Sequence, residues 1–192
     1  MLEAIVCPEW EYRYYSYDSC WGVGEAMASM RNGEGDDWFL LFGPFGAGIK
    51  GLAHESPLAG DAELLAQARR CVPAEFASFL DEPAFGWACM SFCYWSAAGD
   101  AAWSRVVHPL AERAGLADGA PELLALLHEP ASAYVEFAQG YYECSPPLGA
   151  VEAIYRGEPL TPQLVQALNE ALLLADVAAE AQQIGYPLGD GA

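Results

Sequence analysis

The residue types that acid–base chemistry needs are concentrated in the first third of the chain. His54 is followed directly by Glu55 and Ser56, which are the residue types of a hydrolytic triad. Neighbouring residues of an extended chain point to opposite faces, so these three do not form a proton relay by themselves. His54 becomes a candidate general base if the fold brings the carboxylate of Glu25 or Asp36 to it. A hydrogen-bonded structural histidine is the alternative.

Basic residues are rare in this chain, and two of the eight, Arg31 and Lys50, lie in the same segment among several carboxylates. We predict that they form ion pairs that fix the local loop, and the alternative is that they hold an anionic group in a cleft. No residue receives a catalytic role. The candidate ligand or partner contacts are Trp21, Glu25, Arg31, Asp36, Trp38, Lys50, His54 and Glu55.

Gly22 and Gly24 lie between a predicted strand and a predicted helix, which is the context of a dinucleotide-binding turn. The third glycine of that motif would fall at Met27, and Glu25 would place a negative charge near a pyrophosphate. These glycines therefore favour a tight turn. No phosphate-binding loop, nucleophile elbow or zinc-protease spacing occurs. The sequence predicts no cofactor.

Metal ligation is also not predicted. The six cysteines are scattered without a CxxC pair, and Asp36-Asp37 lacks oxygen ligands at alternate positions. We expect free cysteines, mostly buried as small apolar residues. The N-terminal residues MLEAIVCPEW have no basic region, and no run of 18 apolar residues exists. These features predict a cytoplasmic protein.

Charge restricts the classes of partner. The chain has 27 acidic and 8 basic residues and a net charge of −19 at pH 7. Such a surface repels phosphate backbones and anionic lipids, so we expect no nucleic-acid and no membrane partner. It attracts a basic protein and accelerates association with it. The alternative is that the acidity only keeps the protein in solution.

Aromatic residues are abundant near the N-terminus. Tyr12, Tyr14, Tyr15 and Tyr17 are too many for one buried face. Some of them should reach the surface or a neighbouring chain, so a homo-oligomer is one expected arrangement.

Hydrophobic patterns predict the elements of the first half. Residues 10–18 and 85–95 indicate strands, and residues 38–42 and 47–54 indicate a hairpin joined by GPFG. Residues 25–31 are predicted as a short helix with Met27 and Met30 on one side, and residues 61–72 and 73–80 as further helices.

The second half is predicted to be helical, at residues 101–113, 121–128, 131–142, 148–156 and 162–184. Thr161 should cap the last helix and Gly185 should end it. The fold class is therefore α+β, with a mostly antiparallel sheet from the N-terminal half, packed helices and a helical C-terminal half. We predict one domain over residues 1–192, sheet-rich in 1–96 and helical in 97–192.

The segments WGVGEAMASMRNGEGDDW (21–38) and IKGLAHES (49–56), with PAEFASFLDEPAF, MSFCYW and IGYPL, carry a family resemblance. The pattern WGxGExMASMRNGxGDxW…IKGxxHES resembles a family of small, soluble, uncharacterised bacterial proteins with no established activity. The resemblance implies no role for any residue. A looser likeness in class, to small acidic aromatic-rich immunity proteins of bacterial toxin systems, implies a cytoplasmic binding protein.

These observations predict a non-catalytic protein-binding module, and an immunity-type protein that neutralises a basic toxin is the most concrete form of that prediction. The alternative is a small-molecule-binding protein or enzyme with a cleft formed by residues 21–56.

Overall fold

The computed structural model describes residues 1–189, apart from three side chains at positions 110, 111 and 113. The strands are β1 (Tyr15–Gly22), β2 (Glu25–Arg31), β3 (Asp37–Gly43), β4 (Gly46–Leu52), β5 (Phe92–Ala97) and β6 (Ser104–Arg105). The α-helices are α1 (Leu2–Val6), α2 (Ala62–Cys71), α3 (Ala77–Asp81), α4 (Pro109–Ala114), α5 (Ala120–Leu124), α6 (Ala131–Tyr141), α7 (Leu148–Tyr155), α8 (Pro162–Leu168) and α9 (Leu174–Ile184). Short 3₁₀ turns cover Trp10–Tyr12, Ala74–Phe76, Pro83–Phe85 and Ala125–His128.

Within residues 1–189 the strands form one six-stranded sheet in the order β1-β2-β3-β4-β5-β6. Neighbours in the sheet are neighbours in the chain, so the sheet is a meander of antiparallel strands. Helices make up most of the C-terminal half. The predicted α+β fold is confirmed.

The predicted helix at residues 25–31 is wrong, because this segment is strand β2. Met27 lies opposite Leu41 and Met30 lies opposite Trp38 in the register with β3, so the two methionines face opposite sides of the sheet. Both are buried. A helix of seven residues is marginal by itself, whereas a strand at this position is hydrogen-bonded into the sheet. Tertiary pairing therefore overrides the local pattern.

The hairpin of β3 and β4 is confirmed, with Gly43 opposite Gly46 at its turn. Gly46 has φ +125°, and a Cβ there would lie 2.1 Å from the carbonyl oxygen of Ser96, so glycine is required. Other boundaries differ from the prediction. Strand β5 begins only at Phe92, and β6 takes part of the segment predicted as the helix 101–113.

The last predicted helix is interrupted at Asn169, whose side chain donates to the carbonyl of Ile5 and accepts from the N–H of Ala171. The break changes the phase of the following helix, so Ala175 and Ala179 are exposed, although an unbroken 3–4 spacing from Val165 and Leu168 would place them on the buried side. In their place Leu174, Val177 and Ala181 are buried. The predicted caps are confirmed: Thr161 accepts from the N–H of Leu164, and Gly185 is left-handed with φ +74°.

The chain divides into two compact units. The first unit joins residues 1–19 to the segment from Ala125 onward, and its core is formed by α1 and α6–α9. The second unit covers Cys20–Leu124, and its core is an aromatic cluster with Phe76, Phe79 and Phe85 at full burial. The prediction of a single domain stays a prediction.

All six cysteines are free, as predicted. Burial was predicted for most of them and is wrong for Cys20, Cys71 and Cys89, which are exposed, while Cys93 is buried. Across residues 1–189 there is no helix with both the length and the apolar character that crossing a membrane requires.

Candidate functional site

Successive side chains of a strand point to opposite faces of the sheet, and this places the predicted site residues on different faces. Asp37 and Phe39 of β3 lie on the same face as Lys50 of β4, while Trp38 points to the opposite face. The indole N–H of Trp38 donates to the carbonyl of Leu123 at 3.1 Å, and the side chain is almost fully buried. Trp38 is therefore a core residue and does not line a site with Lys50.

Lys50 is a buried cation, with 1% of its side chain exposed. Its Nζ lies 3.3 Å from Oδ1 of Asp37, donates to the carbonyl of Cys89 at 3.1 Å and lies 5.4 Å from the ring centroid of Phe39. Burial lowers the pKa of Lys50, and the attraction of Asp37 only partly opposes this. Burial likewise raises the pKa of Asp37. The predicted ion pair is confirmed, and the burial of Lys50 leaves no path for a substrate to reach its amine.

His54 meets the carboxylate of Asp36, one of the two partners that the sequence proposed. Nδ1 of His54 lies 2.7 Å from Oδ1 of Asp36, and the backbone N–H of His54 donates to the same oxygen at 2.8 Å. The other oxygen of Asp36 accepts from the amide of Asn32 at 2.7 Å. Oδ1 of Asn32 accepts in turn from the N–H groups of Glu34 and Asp36, so the loop is ordered around Asn32.

The contact between His54 and Asp36 shifts the pKa of both side chains. The hydrogen bond to Asp36 raises the pKa of His54 above its ordinary value. Burial acts to raise the pKa of Asp36, but the hydrogen bonds from His54 and Asn32 outweigh it, and the pKa is lowered. The pair is therefore held in its charged form over a wider pH range than the isolated groups would be.

A cleft of about 360 Å³ lies beside this pair. It is lined by the carboxylate-bearing residues Asp36, Glu55 and Glu122, with His54 among them. The Ser56 hydroxyl takes no part in a relay with His54, because it donates to the carbonyl of Ala117 at 2.8 Å and accepts from the N–H of Leu58. The cleft thus offers a histidine paired with a carboxylate and further negative charge, without an activated serine.

The other predicted residues lie elsewhere in the second unit. The Trp21 ring stacks on Phe85 with 6.2 Å between centroids, and Glu25 follows the β1–β2 turn. Arg31 lies opposite Asp37 in the sheet register, and its charge acts to lower the pKa of that carboxyl. The eight residues therefore do not form one site. Asp36, His54 and Glu55 lie together at the cleft, and Arg31 and Lys50 lie beside Asp37. Trp21, Glu25 and Trp38 belong to neither group.

A second feature, in the first unit, had only a partial signal in the sequence. Residues 8–12, here called the clamped loop, are all exposed, and in them Trp10 at 54% and Tyr12 at 60% exposure alternate with Glu9 and Glu11. The surplus of aromatic residues predicted that some tyrosines reach the surface, and Tyr12 and Tyr17 confirm it.

The loop is held by the buried Arg13. Its Nε donates to the carbonyl of Cys7 at 2.8 Å and Nη2 donates to the carbonyl of Pro8 at 2.7 Å. Nη1 and Nη2 also donate to the two carboxylate oxygens of Glu180 in α9, at 2.9 and 3.2 Å. The guanidinium therefore fixes the base of the loop while its aromatic tip faces solvent.

No protein-family model, curated protein or solved structure matches this chain. The resemblance to a bacterial family stays a prediction. Within the part of the chain that the structure describes, no group of three or more histidine, cysteine, aspartate or glutamate side chains is arranged to hold a metal ion.

Proposed function

We propose that this chain is a non-catalytic binding protein for a basic protein partner, of the type of an immunity protein that neutralises a basic toxin. The observation that carries the proposal is the clamped loop, in which two exposed aromatic residues alternate with two exposed acidic residues. Tyrosine and tryptophan are enriched among the residues that dominate binding energy at protein interfaces. Flanking carboxylates select a partner with positive charge.

Preorganisation supports this role for the loop. Ordering a flexible loop on binding costs conformational free energy, so a loop that is already fixed binds more tightly for the same contacts. Arg13 supplies that order through four hydrogen bonds, two of them to main-chain carbonyls at the base of the loop. Trp10 and Tyr12 can therefore contact a partner without the cost of ordering the loop.

The distribution of charge supports the same partner class. The side chains of Arg13, Lys50, Arg69, Arg70 and Arg156 each form an ion pair with a carboxylate of this chain. Internal pairing thus occupies most of the eight basic residues, while the 27 acidic residues leave a large excess. The field of that excess steers a cationic protein toward the surface and repels an anionic one.

The test begins with affinity capture from a lysate of the native host at low salt, followed by biolayer interferometry with the captured protein after purification. We expect a basic partner, whose association rate falls as ionic strength rises. The variant with both Trp10→Ala and Tyr12→Ala keeps every charge and should weaken binding about 10-fold or more. Trp103→Ala removes another half-exposed tryptophan outside the loop and is the matched control.

Three results would contradict the proposal. They are a partner with net negative charge, the absence of any captured partner at low salt, and equal affinity of the loop variant and wild type. A loss of binding in the Trp103→Ala control equal to that in the loop variant would also remove the loop from the interface.

A second candidate function, a small-molecule site or enzyme active site, is favoured by the contact of His54 with Asp36 in the acidic cleft. A histidine oriented by a carboxylate can act as a general base on a bound molecule. Its test is a fragment screen read from the NMR signals of the His54 ring. A fragment that shifts them and fails to bind His54→Asn supports this candidate, and a library that leaves them unmoved contradicts it.

A further inference from the structure

The first unit contains a cavity of about 320 Å³. The residues of the clamped loop are not part of its wall. Its wall is mostly apolar and combines aliphatic side chains with three tyrosines, Tyr15, Tyr134 and Tyr155. One acidic residue, Glu3, also lines it. A volume of this size is at the lower end of the range for small-ligand sites, where an apolar wall with a few fixed polar groups is the usual composition.

Glu3 is buried, and hydrogen bonds to both oxygens fix its carboxylate. Oε1 accepts from the hydroxyl of Tyr134 at 2.7 Å. Oε2 accepts from the hydroxyl of Tyr142 and from the backbone N–H groups of Tyr14 and Tyr15, the latter two at 3.1 Å. The carboxylate therefore has a single orientation with respect to the cavity wall.

Hydrogen bonds, and not an ion pair with a described side chain, hold the Glu3 carboxylate. Among the side chains that the structure describes, no basic one forms an ion pair with it, and no lysine, arginine or histidine lines the cavity. Met1 also lines the cavity, and burial lowers the pKa of its amine to about 6. Buried charges in proteins are normally paired, so a fixed carboxylate at an open cavity favours a positively charged ligand.

The tyrosine rings favour the same class of ligand. Tyrosine faces attract organic ammonium ions through their quadrupole, and this attraction is largest where water is excluded. Burial raises the pKa of Tyr15, with Tyr155 and Glu3 acting in the same direction, so the hydroxyls stay protonated and the rings stay neutral. Leu126, Leu127 and Ile154 supply apolar contact for the carbon skeleton of the ligand.

We propose that this cavity binds a small organic ammonium ion, with its charged nitrogen between the Glu3 carboxylate and the tyrosine rings. The ligand is a free small molecule with a compact alkyl part. This site is independent of the protein-binding role proposed for the clamped loop, because the two share no residue.

The test compares three probes of the same shape by isothermal titration calorimetry at pH 7.5. Choline carries the positive charge, 3,3-dimethylbutan-1-ol is its neutral isostere, and 3,3-dimethylbutanoate is an anion of similar size. The tag is placed at the C-terminal end so that Met1 is unchanged. We expect choline to bind about 10-fold more tightly than the neutral alcohol, and the anion to bind more weakly than either.

Two variants locate the binding. Tyr155→Leu removes a half-exposed ring of the cavity and should weaken choline about 5-fold, with little effect on the neutral alcohol. Glu3→Gln removes the charge and should reduce choline to the affinity of the alcohol. Tyr17→Leu, at an exposed tyrosine outside the cavity, is the matched control and should bind choline as wild type does.

Circular dichroism checks that each variant is folded. If Glu3→Gln does not fold, the comparison of Tyr155→Leu with Tyr17→Leu decides the question alone. The proposal is overturned if choline does not bind, if choline and the neutral alcohol bind equally, or if Tyr155→Leu binds choline as wild type does. Each of these results leaves the proposal for the clamped loop unaffected.

Discussion

Removing the Arg13 side chain should destabilise the protein far more than removing an exposed arginine that also forms an ion pair. Arg13 is 5% exposed and bonds two main-chain carbonyls as well as Glu180. Arg70 pairs with Glu63 at a site where both side chains are more than half exposed. The two arginines both pair with a glutamate but differ in burial and in the number of hydrogen bonds they donate, so Arg70→Ala is the exposed-pair control for Arg13→Ala.

The magnitude follows from that difference. Breaking a buried ion pair costs about 3–5 kcal/mol, while an exposed pair contributes about 0–1 kcal/mol. Glu180 is one-third exposed, so water can solvate its carboxylate once Arg13 is gone, and the loss should fall at the lower end of the range. We expect a loss of about 3 kcal/mol for Arg13→Ala and under about 1 kcal/mol for Arg70→Ala.

Urea unfolding followed by far-ultraviolet circular dichroism and by tryptophan fluorescence measures these losses, and agreement of the two probes checks that one transition is observed. Arg13→Lys keeps the charge but not the planar fork, and should lose about 1–2 kcal/mol. Equal losses in Arg13→Ala and Arg70→Ala would refute the reasoning, since burial would then not govern the strength of these pairs. Full stability of Arg13→Lys would show that the fork is not needed.

Two further predictions concern glycines and pH. A Cβ at Gly51 would lie 2.0 Å from the buried Phe92 ring, so Gly51→Ala should lower the free energy of unfolding by about 2 kcal/mol. Gly140 lies in the last turn of α6 with open space around it, so Gly140→Ala should raise the free energy of unfolding by about 0.5 kcal/mol. Thermal melting checks the sign of both changes. Contact with Asp36 raises the pKa of His54 above 6.5 and lowers the pKa of Asp36 below 3.8. The stabilisation from His54 is therefore complete below pH 6.5 and is lost as pH rises through its folded pKa, while that from Asp36 is lost as pH falls through its own. The stability difference between wild type and His54→Asn should be largest between about pH 4 and 6.5 and should shrink toward pH 9. A difference in urea midpoint that stays constant over this range would contradict the linkage.

Much of the fold follows from local patterns that the sequence shows directly. The hairpin of β3 and β4 has apolar runs on both sides of GPFG, and Thr161 with Pro162 begins α8 where the capping signal predicts it. The β2 strand was mispredicted because seven residues with methionines three apart fit a helix face as well as a strand. Only the pairing of Met27 with Leu41 across the sheet distinguishes the two, and that partner is fourteen residues away.

The candidate sites depend even more on contacts between residues that are far apart in the chain. Asp36 was one of two carboxylates that the sequence offered to His54, and the structure selects it because the loop around Asn32 turns its oxygen toward the end of β4. The clamped loop is held by the ion pair of Arg13 with Glu180, which lies 167 residues later in the chain, and no local pattern predicts that contact. Nor does any local pattern predict that Glu3 accepts a hydrogen bond from the hydroxyl of Tyr134.

By itself the sequence determined the α+β class, most element positions, the acidic surface and the surplus of aromatic residues, because these depend on composition and on spacing within a few residues. Tertiary structure alone decided which carboxylate each cation meets, which tyrosines stay exposed and where a cavity remains. Such contacts join residues far apart in the chain, and burial, which sets the strength of each charge interaction, exists only once the whole chain has packed.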